Sequence, residues 1–242
     1  MIELRPFSKL GGADHGWLKA KYHFSFASHS DPSNMGHGSL RVWNDDEIAP
    51  NTGFGAHPHA NMEIITYVRD GAVSHRDSLG NQDRIVAGDV QVMSAESGIR
   101  HCEYNLEPKT TRIFQIWIRP RVAGGSPQWG TKPFPKKDRA GRFVTLASGF
   151  ETDPEALPIR ADARVLGATL NQQQLLLYET TGNRFLYLVP AVGSVDVNGV
   201  RVDARDGAAI NGVNCLEIRA LLDSELVLVD VPSGQPAFNP QT

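Results

Sequence analysis

Only two cysteines, Cys102 and Cys215, occur in the 242 residues of this chain. Two are too few for a disulfide framework and point to a reducing compartment. No run of about 18 apolar residues occurs, which argues against a membrane-spanning helix. The opening stretch MIELRPFSKLGGADHGW holds no apolar core of signal-peptide length. Together these absences predict a soluble, cytoplasmic protein. Excess positive charge is also missing: the formal net charge is −3, which argues against nucleic-acid binding through a strong overall positive field. The short basic stretch PKKDRAGR (135–142) lies among prolines and glycines and reads as a solvated linker. Long helical periodicity is lacking, so a short helix in DPEALPIR (153–160) or DARVLGATL (162–170) is the most that the pattern allows. The most informative absence is histidine, since all eight lie in residues 1–101 and none in residues 102–242. A metal held through imidazole must therefore sit in the N-terminal half.

What is present is turn-rich and β-prone. Hydrophobic residues make up 40% of the chain and charged residues 21%, the balance of a globular protein with a full core. The 23 glycines join Asn and Asp in recurring turn signals: Asp70-Gly71, Leu79-Gly80-Asn81, Gly88-Asp89, Gly182-Asn183, Asn198-Gly199 and Asp206-Gly207. Between them lie short β-branched and aromatic segments, Ile64 to Val68, Ile113 to Ile118, Phe185 to Val189 and Ser194 to Val202. This spacing reads as all-β, a sandwich or barrel. Ser126 to Arg142, with its prolines, glycines and charge, is the natural break between two β domains, placed as 1–130 and 131–242. A faint repeat supports the split. EIITYVRDGAV matches RFLYLVPAVGSV with Gly71 opposite Gly193, and VAGDVQVM matches DARDGAAI with Asp89 opposite Asp206. In that alignment His57 faces Glu179, His59 faces Thr181 and His101 falls near Ile218, so the second domain keeps the scaffold without the histidines.

Residues two apart on a strand share a face. His57 and His59 in HPH therefore project together with Pro58 opposite, and the proline places this segment at a sheet edge or strand start. His101 and Glu103 in HCE likewise project together, with Cys102 pointing away and expected to pack as a small apolar group. Two such pairs on neighbouring strands would set three imidazoles and a carboxylate around one point. Such a ligand set suits iron, copper, nickel, manganese or zinc and leaves coordination positions open for chemistry. Parity alone also admits Glu63, which shares the face of His57 and His59 in an unbroken strand. His75 and Asp77 read as a structural pair. His15, His23, His29 and His37 read as surface or packing residues, and the four tryptophans chiefly as buried area.

These spacings resemble the cupin signature. HPHANME supplies His57, His59 and Glu63, and GDVQVMSAESGIRHCEYN supplies Gly88, Gly98, His101 and Asn105. Gly71 stands one residue later than usual, Ser94 stands where proline is common, and Glu103 follows His101 by two. Those departures, with FSFASHSDPSNMGHGSLRVWNDDEI and HPHANMEIITYVRDGAVSHRDSLGN, resemble the pirin family of bicupins, and bacterial pirin-like quercetin 2,3-dioxygenases in particular. The resemblance is specific over about residues 12 to 120. It implies two tandem cupin-type β-barrels, of the double-stranded β-helix or jelly-roll kind, and one divalent transition metal ion held by His57, His59, His101 and Glu103. Iron is the first choice of metal, with copper, nickel, cobalt, manganese or zinc as alternatives, and Glu63 lies outside the ligand set. The activity implied is dioxygenation of a flavonol-like aromatic such as quercetin by dioxygen, with ring opening and release of carbon monoxide, and Glu103 acting as the base. The competing expectation is a metal- or redox-sensing module that binds a protein partner, with no direct nucleic-acid contact.

Overall fold

The β-branched segments between turns fold as strands of four sheets in the computed structural model of the chain, in which residues 1–234 are described. The first half builds two of the sheets. One has the order β12 (Gln128–Pro133), β9 (Asp89–Ser94), β6 (Glu63–Asp70), β11 (Thr111–Ile118), β4 (Leu40–Ile48), β3 (Leu18–Tyr22), β2 (Gly11–Asp14). The other has the order β5 (Thr52–His59), β10 (Ile99–Asn105), β7 (Ala72–Asp77), β8 (Gln82–Val86). The second half repeats the plan. Its large sheet runs β1 (Ile2–Arg5), β20 (Gly207–Asn211), β17 (Arg184–Val192), β22 (Ser224–Pro232), β15 (Arg164–Leu170), β13 (Val144–Ser148), β14 (Leu157–Pro158). Its small sheet runs β16 (Leu175–Glu179), β21 (Cys215–Ala220), β18 (Ser194–Val197), β19 (Val200–Asp203). The expected all-β bicupin is thus the observed architecture. Two strands tie the halves together: β1 pairs with β20, and β12, which spans residues 130 and 131, pairs with β9.

Strand alternation sorts the side chains into layers. Along β6, Ile64, Thr66 and Val68 face the small sheet of their own unit, while Ile65 and Tyr67 face the other unit's large sheet. The two large sheets therefore pack back to back over Trp43, Tyr67, Phe114, Tyr187, Val189 and Val229. Each such buried side chain contributes about 1.5–3 kcal/mol. This join makes the two units one body with a shared core.

Three sequence expectations are corrected. DARVLGATL is no helix, because Arg164–Leu170 is a strand paired on both sides, and Leu157–Pro158 within DPEALPIR is also extended. The burial of this segment on both faces overrides its alanines. Ser194 to Val202 is two strands rather than one, divided at the Asn198-Gly199 turn signal read from the sequence (φ 48° and 84°), the left-handed pair that a two-residue turn requires. PKKDRAGR is not a solvated linker throughout. Arg139 is fully buried, donates to the Tyr67 hydroxyl at 2.8 Å and lies 3.6 Å from Glu225, because the segment crosses the join between units. Among the described residues no helix is long and apolar enough to cross a membrane.

Register defines the internal repeat. Gly71 and Gly193 both have left-handed φ, 80° and 85°, and a Cβ on either would strike Thr111 or Ser224, the first residues of equivalent strands. Asp89 and Asp206 also correspond, since Glu63 pairs with Ser94 as Phe185 pairs with Asn211. The histidine positions come out slightly differently. His101 pairs with His57 as Leu216 pairs with Tyr178, and Glu103 pairs with His75 as Ile218 pairs with Val197. The counterparts of His57 and His101 are therefore Tyr178 and Leu216, and Ile218 answers to Glu103.

Candidate metal centre

The central strand β10 carries His101 and Glu103 between β5 on one side and β7 on the other. β5 is an edge strand, as Pro58 requires, and it holds His57 opposite His101. A register shift separates the His101–His57 pair from the Glu103–Phe54 pair, leaving an extra residue on β5. There the ring of His57 turns back and its Nδ1–H donates to the Gly55 carbonyl at 2.7 Å. This bond leaves Nε2 with its lone pair free. The rings of His57, His59 and His101 lie 4.5–5.0 Å apart, and the Nε2 atoms of His57 and His101 are 3.0 Å from each other. Nitrogen atoms of all three lie within 4.8 Å of one another. His75, His101 and Glu103 form a second group by the same measure. His75, however, is bonded to Asp77 at 3.2 Å and stacks on Trp129, so the predicted pair is present.

Burial, reinforced by His57 and His75, lowers the His101 pKa to about 3, and burial with His101 and His57 lowers that of His59 to about 4. Both imidazoles are therefore neutral near pH 7, with lone pairs available. Glu103 is held from the opposite sheet. Thr66 and Gln91 donate to Oε1 at 3.1 and 2.8 Å, and Gln115 donates to Oε2 at 2.6 Å. Trp129 orients the amide of Gln91 by donating to its Oε1 at 3.1 Å. In register, Gln91, Thr66 and Gln115 form one row across β9, β6 and β11. Their counterparts in the second unit are Ala208, Leu188 and Leu228, which pack on Ile218 in an apolar core. The carboxylate and its three donors are replaced together, as the cost of an unpaired buried polar group demands.

A cavity of about 370 Å³ opens beside these residues, lined by His57, His59, His101 and Glu103 together with Trp17, Phe54 and Trp117. Trp43 is fully buried elsewhere. His23 packs on Tyr187 and His37 stacks on Phe185, so both serve the join between units. Cys102 does point away from the site, but it is half-exposed rather than packed as an apolar group. Its Sγ approaches the Arg76 carbonyl at 3.6 Å on the outer face of the small sheet.

Glu63 lies outside the cluster. Between His59 and Glu63 the chain turns at Asn61 (φ 51°) into the other sheet, where Glu63 takes the face opposite to Thr66 and accepts from Ser94 Oγ at 2.5 Å. Burial pushes its pKa from 4.5 up to about 7, aided by Glu96 and opposed by Ser94 and Arg160. The folded state thus holds this proton more tightly than the unfolded state, so stability falls as pH rises from 4.5 to about 7. This group's share of that loss is about 2–3 kcal/mol. Glu63→Gln is expected to abolish that share, read as urea midpoints at pH 5 and pH 8. An unchanged pH dependence in the variant would refute the assignment.

Comparisons with known proteins agree with this architecture. Residues 3–118 match the family model described as Pirin, and residues 145–231 match that of the quercetinase C-terminal cupin domain. A pirin-like protein of Caulobacter vibrioides is 70% identical over 230 residues, covering 95% of this chain and 99% of the relative. A quercetin 2,3-dioxygenase of Escherichia coli K12 is 38% identical over 235 residues, covering 96% and 99%. The crystal structure of the bacterial pirin YhhW from Escherichia coli in complex with nickel(II) superposes with a TM-score of 0.90 at 37% identity, covering 96% of this chain and 99% of that chain. Two cupin units joined back to back, related to these proteins over nearly their whole length, place this chain in the pirin family.

Proposed function

We propose that this protein is a metal-dependent dioxygenase that cleaves flavonol-type aromatics such as quercetin, with one divalent metal ion held by His57, His59, His101 and Glu103. The observation that carries this reading is the convergence of three imidazoles, those of His59 and His101 held neutral by burial, and a buried carboxylate on an aromatic-lined cavity. The donor set fits a metal ion. Two Nε2 atoms lie 3.0 Å apart, that of His57 on a ring whose Nδ1 proton is already committed, and both lone pairs can turn to one cation once the His101 ring carries its proton on Nδ1. Iron is the first candidate, and the nickel complex of YhhW favours a divalent metal in general. When bound, the metal would supply activation of dioxygen and of an enol oxygen towards each other.

The residues do the rest. Thr66, Gln91 and Gln115 lock the orientation of Glu103 before substrate arrives, and such preorganisation is where much catalytic power resides. Oε1 carries two donors and Oε2 one, so Oε2 keeps the open lone pair, through which Glu103 would either hold the metal or take the substrate's hydroxyl proton. Trp17, Phe54 and Trp117 give a planar ligand apolar walls and exclude water. The cavity volume falls within the roughly 300–1,000 Å³ usual for small-molecule sites, which favours the enzyme reading over a partner-binding module. The division of labour follows: residues 1–130 carry the metal, and residues 131–242, of which 235–242 lie outside the described residues, carry a cupin scaffold without ligands.

Anaerobic reconstitution with single metals, followed by oxygen uptake with quercetin, tests the proposal. Oxygen consumption matched by loss of flavonol absorbance is expected in loaded protein and not in metal-free protein. Absence of turnover with iron, copper, nickel, cobalt and manganese alike would end the dioxygenase reading for this substrate.

A further inference from the structure

Across the cavity from the histidines, side chains of the large sheet carry buried polar atoms for which the described residues provide no partner. Asp46 on β4 is 3% exposed and lines the cavity, and its Oδ1 is buried with no hydrogen-bond partner among the described residues. Asn44, two residues earlier on the same face, has its Oδ1 in the same condition. Gln115, the register partner of Asn44, has a buried Oε1 without a partner, while its amide nitrogen is committed to Glu103. These three side chains form one patch in a wall otherwise built from Trp17, Tyr22 and Trp117, with the three oxygens at or just beneath its surface.

The fold has no need of the patch. At the equivalent positions the second unit carries Leu166, Ala168 and Leu228, all in its apolar core. Buried acceptors are costly when unpaired, so a cavity that retains three of them is built for an occupant that donates. The burial of Asp46, with Asp45 and Glu103 nearby, raises its pKa well above the usual carboxylate range. Protonated or ionised, the carboxyl still offers an acceptor oxygen.

We propose that Asp46, with Asn44 and Gln115 beside it, recognises phenolic hydroxyl groups of the substrate other than the one facing the histidines. The cavity then selects polyhydroxylated planar aromatics over analogues stripped of those groups. This inference rests on the flavonol reading above. It names a substrate feature and a residue that confers specificity through binding.

The test compares quercetin with 3-hydroxyflavone, which share the hydroxy-ketone unit directed at the metal but differ in every other hydroxyl. Binding to nickel-loaded protein is measured anaerobically by calorimetry, so that no turnover intervenes. Wild type is expected to favour quercetin by about 10-fold or more, the worth of a well-made hydrogen bond or two. Asp46→Ala is expected to weaken quercetin about 10-fold and leave 3-hydroxyflavone within about 2-fold. The fold tolerates alanine at this place in the second unit, where Ala168 is fully buried. Asp46→Asn, which keeps an acceptor, should retain the preference. Equal affinity of wild type for the two probes would overturn the proposal, and so would an Asp46→Ala variant that binds both more weakly by the same factor. If neither probe binds wild type, the flavonol reading falls and the specificity patch falls with it, an outcome distinct from the other two.

Discussion

Replacing His101 with alanine is expected to weaken binding of a divalent metal by more than 100-fold, beyond the roughly 10–100-fold typical when only a residue supporting a ligand is lost. His101 sits on the central strand of the small sheet, with His57 and His59 on one flank and Glu103 two residues along. It is the member that both candidate ligand groups share. Its removal therefore dismantles either arrangement, whereas loss of His75 touches only one. A packing control is available within the molecule. His101→Leu installs the residue found at the equivalent place in the second unit, Leu216, which is fully buried there. Both variants should melt near wild type in the metal-free state and fail to compete with a chromophoric chelator for nickel or iron. Unchanged affinity and stoichiometry in either would refute the ligand assignment. The analogous exchange at Glu103, to isoleucine, is expected to be far less benign. It would strand the donors of Thr66, Gln91 and Gln115, which the second unit avoids by having replaced all of them.

The second large effect concerns stability. Asp45→Asn is expected to lower the free energy of unfolding by about 3–5 kcal/mol, the usual cost of removing one partner from a buried ion pair. Asp45 is fully buried on the face of β4 opposite to Asp46. Its carboxylate receives Arg69 from its own sheet, and Arg205 from the second unit through Nε at 2.6 Å and Nη2 at 3.1 Å. The Arg69 side chain is 8% exposed and stands over the Phe114 ring at 4.6 Å, so it has no easy route to water once its partner is neutral. Arg205 keeps Glu47 at 3.2 Å and is less affected. Urea midpoints of wild type and variant measure the difference. A loss below about 1 kcal/mol would show the cluster to behave as an exposed pair does. Because Asp45 bridges the units, the loss should appear in a single transition shared by both.

Much of the candidate site was legible because strand chemistry is local. His57 with His59, and His101 with Glu103, follow from the period of two, and Pro58 marks the edge position that β5 occupies. Glu63 was undecidable by the same rule, because parity holds only within one strand and the chain changes sheets at Asn61. The polar row that holds Glu103 left a fainter trace. Thr66, Gln91 and Gln115 are each a lone polar residue inside an apolar run, a signal that an inward-facing group needs a partner. Which partner it needs is not written locally, since Gln115 and Thr66 are 49 residues apart and meet only through the pairing of β6 with β11. The repeat was visible through Gly71 and Gly193, yet the expected counterparts of His57 and His101 slipped by one and two residues. The extra residue in β5 that causes part of the slip is a feature of pairing and has no composition of its own.

By itself, then, the sequence determined the all-β class, the tandem repeat and the half of the chain in which a metal would lie. Turn glycines, strand periodicity and the distribution of histidine are properties of neighbouring residues, and they need no knowledge of distant contacts. Only the tertiary structure decided that Arg139 and Asp45 are buried across the join, that Glu103 is gripped from the opposite sheet, and that Asp46 lines the cavity with an oxygen unpartnered among the described residues. Each of these depends on which strands lie side by side and which sheets lie face to face. That arrangement is set by the burial of whole apolar faces at once.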